Sequence, residues 1–128
     1  MLSILEMRIP DFKYHLDPEI NEAKITLGAS CEVKFPSSGE KNRFLVVLEI
    51  VCETQDVEDF YCRFTARTEV HAPEDVPEDC VNDEIEKILP EILNQVSGKV
   101  NTIVNTLEMP PLDFINQKNL GESLGLAQ

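Results

Sequence analysis

The sequence predicts an α+β fold: an antiparallel four-stranded sheet followed by two helices and a terminal extended Pro-Pro segment. Three observations carry that prediction. Apolar and polar residues alternate with a period of two in three successive stretches between Ala23 and Val70. From Ile85 to Leu107 the apolar residues step by three or four, the spacing of one helix face. Pro110 and Pro111 then end the helical pattern, yet Leu112, Phe114 and Ile115 follow as an apolar segment instead of a polar tail. A chain of 128 residues with 42% apolar content is long enough for one domain with its own core.

The first strand is expected somewhere in Leu5–Leu16, where "MRIPDFKYHL" alternates imperfectly. In "AKITLGASCEVKF", Ile25, Leu27, Ala29, Cys31, Val33 and Phe35 form an inward row, opposite Lys24, Thr26, Gly28, Ser30, Glu32 and Lys34. "PSSGEKN" breaks the pattern as a turn. In "RFLVVLEIVCET" the inward row is Phe44, Val46, Leu48, Ile50 and Cys52, and its opposite row, Leu45, Val47, Glu49, Val51 and Glu53, is half apolar. After "TQDVED", the stretch "FYCRFTARTEV" turns Phe60, Cys62, Phe64 and Ala66 inward and Tyr61, Arg63, Thr65, Arg67 and Glu69 outward. Short turns between such strands imply antiparallel pairing. "HAPEDVPEDC" reads as a solvated acidic loop, since it lacks the ligand spacing and turn glycine of a calcium loop.

Asp83 with Glu86 three residues on makes a capping box, which places a helix start there. Ile85, Leu89, Ile92, Val96, Val100, Ile103 and Leu107 mark its buried face. Pro90 lacks a backbone donor, so the pattern is expected to divide into a short helix ending near Leu89 and a long one to about Leu107. Leu93 and Val104 flank that face and suggest helix contacts in an oligomer. The domain is expected to span residues 1–117, with 118–128 a flexible tail of little apolar patterning.

Composition limits what the chain does. With 24 acidic residues against 11 Lys+Arg, the net charge of −13 opposes binding to a phosphate backbone. No stretch reaches transmembrane length and the start lacks a signal-peptide pattern, so the expected location is cytoplasmic, without membrane insertion. Cys31, Cys52, Cys62 and Cys80 show neither a CxxC pair nor ligand spacing, and the first three fall on inward rows as buried reduced thiols. A P-loop, a Gly-rich dinucleotide fingerprint, HExxH and GxSxG are all missing. His15 and His71 have nothing in the sequence that brings them together. The expectation is a protein without catalytic residues, metal or cofactor.

The order of elements, with "FLVVLEIVCET", "DFYCRF" and "ILPEILNQVSGKVNTIVNTLEMPPLDF", resembles the protein-export chaperone family SecB over Phe44–Phe114. The resemblance implies an ATP-independent holdase: a four-stranded sheet with two helices, assembled as a dimer or tetramer, that binds unfolded polypeptide along apolar grooves. It points to Leu45, Val47, Val51, Tyr61, Leu112 and Phe114 as client or partner contacts. The chain also departs from the family. Arg63 stands where the family keeps an acidic residue for docking the translocase motor SecA, Tyr61 replaces an apolar docking residue, and "KNLGESLGLAQ" replaces the acidic tail. The connection between the first two strands is shortened to about "LDPEINEA". These departures favour a dedicated client, for instance an antitoxin, over general preprotein export, and make SecA binding doubtful. The competing class is an acidic interaction module, in the extreme a nucleic-acid mimic that blocks a basic partner; net charge favours it, and carboxylates clustered in one loop do not.

Overall fold

Alternation in the sequence becomes one sheet in space. The computed structural model describes residues 2–17, 19, 24–34, 43–56, 58–72, 80–109 and 112–125. Four strands, β1 (Ser3–Leu16), β2 (Thr26–Lys34), β3 (Arg43–Glu53) and β4 (Phe60–His71), precede helices α1 (Val81–Thr106) and α2 (Gln117–Ser123). The strands lie in the order β1-β4-β3-β2, and every pairing is antiparallel. The expected turn at "PSSGEKN", most of "LDPEINEA" and the Pro-Glu-Asp loop lie outside the described residues.

The two rows of β3 and β4 divide as their sequence requires. Val46, Leu48, Ile50, Cys52, Cys62, Phe64 and Ala66 are fully enclosed, and Leu45, Val47, Val51 and Tyr61 on the opposite row are half-buried. Because β2 and β1 are edge strands, their inward rows are covered less. Cys31, expected inside, is exposed, since it faces the sheet side that α1 covers but sits beyond the cover. β1 carries register shifts between Ile4/Glu6 and between Arg8/Asp11. Pro10 lies in the second, where a residue without an N–H costs the ladder nothing. Asp11 Oδ1 accepts from Thr65 N at 3.1 Å beside that bulge.

The β3–β4 turn is tied at its base. Thr54 N donates to Phe60 O at 3.3 Å, and Phe60 N donates to Thr54 Oγ1 at 3.2 Å. Asp56 Oδ1 accepts from Glu58 N at 3.0 Å, the local bond that makes aspartate favourable in turns.

Helix α1 corrects the expected division at Pro90. It runs unbroken for 26 residues with Pro90 inside it. Pro90 is exposed, so solvent can take the carbonyl it leaves unpaired, and Ile85, Ile88, Leu89, Ile92, Leu93 and Val96 stay in phase on both sides. A proline inside a helix costs about 3 kcal/mol, whereas each buried Leu, Ile or Val contributes roughly 1.5–3 kcal/mol. Burial wins. The buried stripe also turns slightly from its expected path, for Val104 is enclosed while Ile103 is half-buried and Leu107 is 54% exposed. Leu93 and Val104 are therefore core residues of one chain and say nothing of an oligomer.

No capping box forms at the start. Cys80 is the N-cap without a side-chain bond, and Asp83 lies in the first turn, where its charge still complements the helix dipole. Glu108 ends α1 with φ at 57°, a left-handed residue whose N–H donates to Asn105 O at 3.0 Å.

The segment after the two prolines also differs from its expectation. Pro110 and Pro111 are outside the described residues, and Leu112–Asn116 is no extended strand but a turn closed by Ile115 N donating to Leu112 O at 3.0 Å. α1 holds it down: Ser97 Oγ donates to Ile115 O at 2.7 Å, and Asn101 Oδ1 accepts from Leu112 N at 3.2 Å. Nor does a free tail begin at residue 118. Asn116 caps α2 by accepting from Asn119 N at 2.8 Å, and Leu120 is fully buried. One apolar anchor and a good cap suffice where the sheet and α1 already supply the walls.

Candidate functional site

The residues singled out by sequence fall on opposite sides of the sheet. Leu45, Val47, Val51, Tyr61 and Arg63 belong to the face away from α1. Leu112 and Phe114 belong to the turn under α1 and α2. Leu112 is 2% exposed and so is part of the core, whereas Phe114 is half-buried.

The outer face mixes charges closely. Arg8, Lys13, Lys34, Arg43, Arg63 and Arg67 share it with an equal number of acids, Glu6, Asp11, Glu32, Glu49, Glu53 and Glu69. The excess negative charge of the chain therefore lies elsewhere. Glu49 Oε1 accepts from Arg63 Nη2 at 2.5 Å; the Tyr61 hydroxyl, first, and then this carboxylate push the guanidinium pKa up. Glu6 accepts from Arg8 Nε at 2.8 Å and from Nη2 at 3.0 Å, which lowers the Glu6 pKa. Arg8 stands directly opposite Arg67, and Lys13 opposite Arg63. Such a surface is not the uniform anionic row of a nucleic-acid mimic, and Leu45, Val47, Val51 and Tyr61 lie half-buried among its charges.

A cavity of about 460 Å³ lies on the other side, between the start of β2, the 112–116 turn and α2. Ile25, Leu27 and Phe114 give it apolar walls, and Asn119, Glu122 and Ser123 a polar rim. Its volume falls within the roughly 300–1,000 Å³ of ligand sites. The turn is braced there by Asn119 Nδ2, which donates to Phe114 O at 2.7 Å. Phe114 also meets Phe60 edge-on, with ring centroids 5.8 Å apart, and Phe60, Tyr14, Phe12 and Phe64 continue as one aromatic row into the sheet. The cavity wall is thus anchored to the core and preformed. Sequence reasoning found Phe114 but placed Ile25 and Leu27 in the core. It missed Asn119, Glu122 and Ser123, for which the only signal was the Asn116 cap.

A second, shallower groove of about 640 Å³ runs between the β1 bulge and α1, lined by Ile9, Gln95, Gly98, Lys99, Thr102 and Ile103. Lys99 Nζ crosses it to donate to Met7 O at 2.6 Å.

The two histidines do not converge. His15 and His71 sit at opposite ends of β4's register, and His15 Nε2 donates to Glu58 O at 2.8 Å. Among the described residues no cluster of His, Cys, Asp and Glu could hold a metal ion, and no helix is long and apolar enough to cross a membrane.

No family model matches the chain, and no curated protein matches it. A solved structure does: the Mycobacterium tuberculosis Rv1957 SecB-like chaperone, in complex with a ChAD peptide from the Rv1956 HigA1 antitoxin. The two share 14% sequence identity with a TM-score of 0.57, over 87% of this chain and 83% of that one. At such identity the likeness establishes the fold, which is SecB-like.

Proposed function

We propose that this protein is an ATP-independent holdase that binds unfolded or partly folded polypeptide, and that it serves a dedicated client. The preformed cavity between β2, the 112–116 turn and α2 carries this reading. It offers apolar walls for side chains and a rim of hydrogen-bonding groups for a backbone, held by a core that need not rearrange to receive them. The fold neighbour is a chaperone seen with an antitoxin peptide, which supports a polypeptide ligand and a restricted client. The outer face supports the restriction, because Arg63 stands at a position where the resemblance to the SecB family implies an acidic residue for export docking.

Thermal aggregation of an unrelated enzyme, followed by light scattering, tests the proposal. The protein is expected to suppress aggregation at near-stoichiometric ratio without ATP, and Phe114→Ala to weaken suppression while leaving the circular dichroism spectrum intact. Aggregation that proceeds unchanged at several-fold excess of protein refutes it.

A further inference from the structure

The balance of charge on the outer face hides an order. In the β1–β4 ladder, like charges stand directly opposite one another three times: Glu6 faces Glu69, Arg8 faces Arg67, and Lys13 faces Arg63. Such pairs destabilise a sheet. β3 extends each of the two cationic rungs with an apolar residue, Val47 beside Arg67 and Val51 beside Arg63. The rung between them carries Asp11, Thr65 and Glu49. Four of the chain's 11 Lys and Arg thus stand in two matching rungs of a protein whose net charge is −13.

Among the described residues, each rung has one cation engaged and one without a partner. Glu6 holds Arg8 through both oxygens, and Glu49 holds Arg63. The Arg67 and Lys13 side chains make no ion pair or hydrogen bond with any described residue, and both are exposed. Arg67 lies on β4 four residues from Arg63, and Lys13 lies one strand across from Arg63. Four strand steps of about 3.3 Å and one interstrand step of about 4.8 Å put the two positions about 14 Å apart. An extended chain spans about 13 Å between residues i and i+4 and turns both to the same side. The half-buried Val47 and Val51 displace water beside each rung, which strengthens a charge pair formed there.

We infer that the β1–β4 side of the outer face docks an extended acidic segment of a partner protein: two carboxylates four residues apart pair with Arg67 and Lys13, and the residue midway between them is uncharged because it lies over Asp11. When each rung gains an anion, its two cations no longer face only each other, so the repulsion that the ladder carries alone is relieved in the complex. Spacing supplies the selection. A chain acidic throughout sets its charges against Asp11, Glu49 and the Glu6/Glu69 pair and gains nothing. The strip lies on the sheet side away from α1 and the cavity, so the inference does not rest on the holdase reading, and this partner leaves the client's place open. A second copy is a poorer occupant, since it brings another −13 against the first.

Chemical-shift mapping of the isotope-labelled full chain in about 0.02 M salt tests this with two peptides of equal charge. In Ser-Thr-Glu-Thr-Asn-Thr-Glu-Thr-Ser the glutamates are four residues apart; in Ser-Thr-Glu-Thr-Glu-Thr-Asn-Thr-Ser they are two apart. The first is expected to shift the amides of Lys13, Arg63, Thr65 and Arg67 and to bind at least about threefold tighter than the second. Raising salt to about 0.2 M is expected to weaken it about threefold or more. Arg67→Gln and Lys13→Gln are each expected to weaken it about twofold to fivefold, the yield of one exposed ion pair. Their urea midpoints are expected to hold or rise, because a like-charge contact is gone. Equal binding of the two peptides, binding indifferent to both substitutions, or no binding at about 5 mM peptide overturns the inference. So does a urea midpoint that falls together with binding, which assigns the cations to the sheet. Shifts at Phe114 and Asn119 instead make the peptide a client, and overturn the inference while the holdase reading stands. Shifts on the outer face that grow with protein concentration in the absence of peptide give it to a second copy and overturn the inference.

Discussion

Cys52 and Cys62 face each other across β3 and β4 in the middle of the core, and burial pushes both thiols up to about 12 from an ordinary 9.0. Their neutral form is what the fold accepts. The sign of the pH dependence follows: the unfolded chain ionises first, so the stabilisation is complete below the unfolded value and is lost as pH rises toward the folded one. Urea midpoints are expected to hold at neutral pH and to fall between about pH 9 and about pH 11, with Tyr14, also raised by burial, adding to the fall near its upper end. A Cys52→Ala, Cys62→Ala double variant should show a shallower fall over that range, and an equal slope would refute the assignment. In the folded protein an alkylating reagent should reach Cys80 and, more slowly, Cys31, whose pKa burial also raises, but neither core thiol. One core position stays unexplained by packing: Thr68 is fully buried on the inward row of β4 with no partner for its hydroxyl among the described residues.

Elements differ in how plainly the sequence announces them. β3 and β4 were legible because the inward row of β3 is apolar throughout and that of β4 is apolar but for Thr68, and a one-residue slip would turn either row outward. α1 was legible as a stripe but not as one helix, because Pro90 is a strong local signal and the tertiary burial that overrides it has no local signature. α2 was not legible. A helix of 7 residues has no room for a period, and Leu120 alone gives none, so the cavity rim of Asn119, Glu122 and Ser123 stayed hidden with it. The structure makes α2 a test of its own. Leu120→Ala should cost about 2–5 kcal/mol, as for other enclosed leucines. Ending the chain after Gln117 should cost at least as much, since it also removes the Ser123 bond to β2. A urea midpoint unchanged by either would mean that α2 does not dock as described.

At the scale of the molecule, the question is whether charge or shape selects the ligand. The chain carries −13, yet the outer sheet face balances its acids with bases, and the cavity has apolar walls. A protein that attracts partners by net charge should lose them as salt screens the attraction, over a Debye length that shrinks from about 20 Å at 0.02 M to about 8 Å at 0.15 M. A holdase working through apolar contacts should respond in the opposite sense to an acidic client, because salt screens only the repulsion between them. Carboxymethylated α-lactalbumin is such a client, unfolded and strongly acidic. Raising salt from about 0.02 M to about 0.2 M is therefore expected to tighten its binding several-fold, by an amount set by the screened repulsion between two acidic chains. Phe114→Ala should weaken binding at both salt concentrations by a similar factor, since the cavity contact it removes is uncharged. Binding measured by fluorescence anisotropy distinguishes the cases. Affinity that falls with salt would place the grip in charge, on some surface other than the cavity, and would count against both the holdase and its site.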